Sequence, residues 1–132
     1  MIRYDDIYAG DDHIVELGLY EGNTAVDLTG CPQIIAAVKT GTSNYAYFAL
    51  VQTGNESGYG KLTVKTGLGN EHFVLIQFKK AQTAGMTPGA FDVEVKAKFV
   101  DADFADGFRW QTFAFTNIGT VIDRFAKNLP TP

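Results

Sequence analysis

Cysteine, histidine and tryptophan are nearly absent from this chain, which holds one Cys (Cys31), two His (His13 and His72) and one Trp (Trp110). A single thiol cannot close an internal disulfide, so the chain is not a stapled secreted module and its sequence fits folding in a reducing cytoplasm. Basic residues are outnumbered, with eleven Lys and Arg against fifteen Asp and Glu for a net charge of -4. The eleven are scattered, which argues against non-specific nucleic-acid binding and against attraction to anionic membrane surfaces. No apolar run approaches the ~20 residues of a membrane-spanning helix. The opening Met1-Ile2-Arg3-Tyr4-Asp5-Asp6 has neither the basic head nor the apolar stretch of a signal peptide. The sequence therefore reads as a protein that is soluble where it is made.

What the chain does have suits strands. Its 132 residues include ten Phe, six Tyr and fourteen Gly, with 45% hydrophobic and 20% charged residues. That length is enough for one core without staples, and the aromatic and glycine content favours sheets joined by tight turns. From Ala90 to Val100, Phe91, Val93, Val95, Ala97 and Phe99 alternate with Asp92, Glu94, Lys96 and Lys98. Period-two alternation of this kind marks a half-buried strand. After the acidic turn Asp101–Gly107, a second run from Phe108 to Thr116 completes a long hairpin. Further strands are expected over His13–Tyr20, Gln33–Lys39, Tyr45–Gln52, Lys61–Thr66 and His72–Phe78. Lys79–Gly89 reads as a helical turn or loop. The expected fold is all-β, an immunoglobulin-like β-sandwich of about seven to nine antiparallel strands over residues 1–122, with a C-terminal tail over 123–132. A closed barrel is the alternative architecture.

Several stretches carry a suggestion of chemistry beside a plainer reading. Asp101, Asp103 and Asp106 resemble a calcium loop, but the third acid and Gly107 each fall one place late and Thr112 stands where the bidentate Glu belongs. A hairpin turn explains the same residues. Gly54–Lys61 lacks the first Gly and the hydroxyl residue of a phosphate-binding loop, with Asn55 and Leu62 in their places. Asn55-Glu56-Ser57 matches a glycosylation acceptor but has no secretory route to modification. Nothing in the sequence brings Cys31 together with either histidine as a nucleophile and base. Trp110, flanked by Phe108, Phe113 and Phe115, suits either a sugar-stacking platform or packing at a core or interface.

The order of the pieces carries a resemblance. A strand after Gly10-Asp11-Asp12, then Val26-Asp27-Leu28-Thr29-Gly30 leading into an apolar strand, then a Thr/Pro-Gly segment before a long alternating strand, together resemble the immunoglobulin-like domains of tailed-phage virion proteins. The likeness is nearest to the N-terminal domain of the phage baseplate upper proteins and spans about residues 10 to 122. In that family an Asp-Leu-Thr-Gly signature closes the first hairpin, matched here by Asp27, Leu28, Thr29 and Gly30. A Gly followed by an aromatic opens a later strand, matched with one residue inserted by Gly89-Ala90-Phe91. The chain departs from the family in having no long helical or receptor-holding extension.

The resemblance implies a structural, non-enzymatic role in the virion, made in the host cytoplasm. It acts by contact with other phage virion proteins in the tail, baseplate or fibre attachment, as part of a homo-oligomer. Capsid decoration is the alternative within that class, and a carbohydrate-binding module for host polysaccharide, with Trp110, Tyr45 or Tyr47 stacking on sugar, is the alternative outside it. No cofactor, metal, nucleic acid or membrane enters this reading. Partner contacts are expected at Tyr45, Tyr47 and Phe48, in an aromatic-rich run, and at Leu129 and Pro130, in the tail.

Overall fold

The computed structural model describes residues 5–40, 48–50, 56–57 and 60–123. Its strands are β1 (Asp5–Tyr8), β2 (His13–Gly18), β3 (Tyr20–Glu21), β4 (Thr24–Ala25), β5 (Gln33–Thr40), β6 (Phe48–Leu50), β7 (Glu56–Ser57), β8 (Gly60–Val64), β9 (Phe73–Phe78), β10 (Gly89–Val100) and β11 (Phe108–Ile122). One short helix, α1 (Lys80–Ala84), precedes β10. One sheet runs β1-β11-β10-β5-β6, a second runs β2-β9-β8-β7, and β3 with β4 forms a separate two-stranded ribbon.

Alternation decides how the sheets stack. In β5, Ile34, Ala36, Val38 and Thr40 are buried while the intervening residues are only half-buried, and β10 buries Phe91, Val93, Val95 and Ala97. Register puts these residues in rows: Val93 stands between Val38 and Phe115, and Val95 between Ala36 and Phe113. The second sheet offers matching rows, Val15-Ile76-Leu62 and Leu17-Val74-Val64. Side chains from both sheets join one core cluster, so the two sheets face each other across a shared interior. The all-β expectation holds.

The edges and the count differ from expectation. The chain forms more strand segments than seven to nine, and they are not all antiparallel. β1 pairs parallel with β11, Asp5 opposite Gly119 and Ile7 opposite Val121. Two adjacent acids, Asp5 and Asp6, conceal this strand in the sequence, although Ile7 is fully buried. β11 also continues six residues past Thr116. There the β10–β11 register shifts between Phe91 and Val93. The one residue of β10 between Phe91 and Val93 answers three of β11 between Phe115 and Gly119, which is a bulge. Asn117 takes up the bend with φ 52°, a conformation Asn tolerates better than most residues, and its N–H donates to Asp92 Oδ1 at 2.7 Å.

Helix α1 ties the sheets together at one end. The Thr83 side chain is fully buried. Its hydroxyl donates to the Asp11 carbonyl oxygen at 2.7 Å and accepts the Gly10 N–H at 3.1 Å. Asp12 Oδ1 accepts the Lys80 N–H at 2.7 Å, satisfying an otherwise orphaned donor in the first turn of the helix.

Candidate interaction surface

The Asp27–Gly30 stretch is a turn held by its own side chain. Asp27 Oδ1 accepts the Thr29 N–H at 2.9 Å, Leu28 is buried, and the Cys31 N–H closes the turn on the Leu28 carbonyl oxygen at 3.1 Å. Gly30 sits at φ 78°, the left-handed region that a side chain resists. The backbone and then the side-chain hydrogen bond from Thr29 hold the Asp27 carboxyl below its ordinary range, against a small opposing effect of desolvation.

The acidic loop is likewise occupied by its own backbone. Asp101 Oδ1 accepts the Asp103 N–H at 3.0 Å, Asp106 Oδ1 accepts the Phe108 N–H at 3.1 Å, and Asp101 Oδ2 accepts Arg109 Nε at 3.1 Å. The Asp101 N–H closes the loop on the Gly107 carbonyl oxygen at 2.8 Å. Among the described residues, no group of three or more His, Cys, Asp or Glu is placed to hold a metal ion.

The two histidines are set at opposite ends of the β2–β9 pair, where His13 is opposite Phe78 and His72 immediately precedes Phe73. Cys31 Sγ donates to the Lys98 carbonyl oxygen at 3.1 Å. Burial pushes its thiol upward, the Arg109 charge opposes this and the Asp27 charge adds to it. His72 meets a partner the sequence did not suggest: Tyr20, 52 positions away, shares a hydrogen bond with its Nε2 at 3.0 Å. The Tyr20 and His72 rings meet edge to face, and Phe73 lies against His72. Gly18 makes room for this group, since a Cβ there would lie 3.0 Å from the Tyr20 ring and 3.1 Å from the Phe73 ring.

The outward face of the β10–β11 hairpin carries a different kind of surface. Val100, Phe104 and Trp110 are exposed to 74%, 49% and 45%, too many large apolar side chains for one hairpin end to leave in water without use. Phe108 stands opposite Val100, and Lys98 Nζ lies over the Phe108 ring at 4.2 Å and the Trp110 ring at 5.9 Å. Along the same hairpin, β1 covers only Gly119–Ile122 of β11. Among the described residues no strand covers Phe108–Phe115 on the side away from β10. A groove runs beneath that open edge, walled by Gln111–Phe115 and by Gly18 with Tyr20–Gly22 of the β3–β4 ribbon.

Of the contact residues expected from sequence, Tyr45, Tyr47, Leu129 and Pro130 lie outside the described residues. Phe48 lies in β6, its backbone opposite Val38. The hairpin surface was legible only in part, through Trp110, because an open edge is a property of topology. No family model matches this chain. Neither a curated protein nor a solved structure shows significant similarity to it.

Proposed function

We propose that this chain is a non-enzymatic structural protein of a phage virion, an immunoglobulin-like sandwich that works by protein–protein contact in the tail, baseplate or fibre attachment. The observation that carries the reading is the pairing of an exposed apolar hairpin end, Val100, Phe104 and Trp110, with a sheet edge on the same hairpin that no described strand covers. Such surfaces are liabilities in a free monomer and assets in an assembly. The Asp27–Gly30 turn, formed with its Asx hydrogen bond and its left-handed Gly30, supports the family likeness on which the virion setting rests. Asp101 and Asp106 accept backbone N–H groups within their own loop, and Cys31 donates to a strand carbonyl.

Antibody labelling of purified particles under the electron microscope tests this. Label at the tail end supports baseplate or fibre attachment, and label over the head supports capsid decoration. Absence from both intact and disrupted particles overturns the virion reading. A second reading, a carbohydrate-binding module, is favoured by the half-exposed single Trp110. It predicts that host polysaccharide changes the intrinsic Trp fluorescence and that Trp110→Ala abolishes the change.

A further inference from the structure

Up to the bulge at Asn117, the β11 edge that no described strand covers lacks two common defences against pairing. From Trp110 to Phe115 the chain contains no charged residue and no proline, two of the devices that keep an edge strand from adding a neighbour. Arg109, the last charge before this stretch, is engaged by Asp101 and by Gln111 Oε1 at 2.6 Å.

We propose that this edge, Phe108–Phe115, pairs antiparallel with the same edge of a second copy of the chain about a two-fold axis at Thr112, joining two five-stranded sheets into one. The proposal rests on the contact role given above and names its partner. In this register Trp110 stands opposite Ala114 of the second copy, so a large ring meets a small residue at two symmetric places. The neighbouring β10 positions complete the match. Lys98 is opposite Trp110 within the chain, and Glu94 is opposite Ala114. Across the joined sheet one row therefore reads Lys98, Trp110, Ala114 of the second copy and Glu94 of the second copy. Lys98 Nζ lies on the β11 side of its own strand, over the Phe108 ring at 4.2 Å and the Trp110 ring at 5.9 Å. The unlike charges at the two ends of this row lie three strand spacings apart, roughly 14 Å, and so favour the register by their sign without touching. Lys96, in the central row, is 3.8 Å from Glu94 of its own chain, which tempers its approach to Lys96 of the copy.

Sedimentation of the full chain over a concentration series tests the association. The wild type is expected to form a dimer. Ala114→Lys, which places a cation on the edge, is expected to shift the protein to monomer at the same concentrations. Adding Trp110→Glu to Ala114→Lys is expected to restore the dimer, because each new Lys then faces a new Glu of the other copy. Within one chain these positions are four strand residues, roughly 13 Å, apart and cannot pair. Thr112→Cys in a Cys31→Ser background is expected to cross-link to itself under mild oxidation, since directly opposed strand residues lie within disulfide range. Thr116→Cys, opposite residue 108 of the copy, is expected not to. Circular dichroism shows whether each variant is folded, and the wild-type measurement stands without them. A wild type that stays monomeric, a dimer that survives Ala114→Lys, or cross-linking through Thr116 in preference to Thr112 overturns the proposal. None of these outcomes bears on where antibody labels the particle, so failure here and failure of the virion reading are separable.

Discussion

The Asp92 carboxylate accepts the Asn117 N–H at 2.7 Å across the bulge beyond which β11 is paired on both sides, with β10 and with β1. Asp92→Ala is expected to destabilise the fold by about 1 kcal/mol. Asn117→Val, which forces a β-branched residue into the left-handed region, is expected to cost about 1–2 kcal/mol, while Asn117→Gly is near neutral. Chemical denaturation of the three variants checks the order.

Thr83 bridges two backbone groups of the turn that links the sheets. Thr83→Val keeps the shape and removes the hydroxyl, leaving the Gly10 N–H and the Asp11 carbonyl without it, at an expected cost of about 2 kcal/mol. Thr83→Ser keeps the bonds and loses one methyl, about 0.8 kcal/mol. A thermal-melt comparison in which Val proves no worse than Ser would show that the bridge contributes little.

The depressed Asp27 carboxyl makes the turn acid-sensitive. A carboxylate with a lowered folded-state pKa contributes stability that is present above its unfolded value and lost as pH falls through the folded one. Melting temperature is therefore expected to fall less between about pH 5 and about pH 3 in Asp27→Asn than in the wild type. Parallel acid limbs for the two proteins would contradict this.

Cys31, with its thiol pushed up by burial and bonded to the Lys98 carbonyl, is expected to react slowly with a thiol reagent at mildly alkaline pH. Unfolding in denaturant should raise the rate sharply. Equal rates in the folded and unfolded protein would place the thiol in solvent.

Core and surface aromatics are expected to separate cleanly. Phe91 is fully buried and Phe91→Ala should cost about 3–5 kcal/mol. Trp110 is half-exposed, and Trp110→Ala should change the stability of the monomer by less than about 1 kcal/mol. Denaturation of each variant, in the Ala114→Lys background, measures both without interference from association.

The hairpin of β10 and β11 was legible in the sequence because one of its faces is buried, so Phe91, Val93, Val95 and Ala97 impose a period of two on the chain. The same holds for β5 and β9. β1 was not legible, since the adjacent acids Asp5 and Asp6 hide a strand that buries Ile7. The end of β11 was missed because Asn117 and Gly119 look like turn residues. One of them does bend the strand, but the ladder resumes with Gly119 opposite Phe91. The Tyr20–His72 contact joins residues far apart in sequence with no shared motif, and an open edge is defined by which strand is not beside it. Both need the topology before they can be seen.

The parallel pairing of β1 with β11 also decides how the domain bears a mechanical load. Tension entering at the N-terminal end of β1 and leaving at the C-terminal end of β11 pulls the two strands along their lengths in opposite directions. Their hydrogen bonds are then loaded together in shear and must fail together, whereas antiparallel end strands would peel apart one bond at a time. Stretched between neighbours, this domain holds until that short clamp slips.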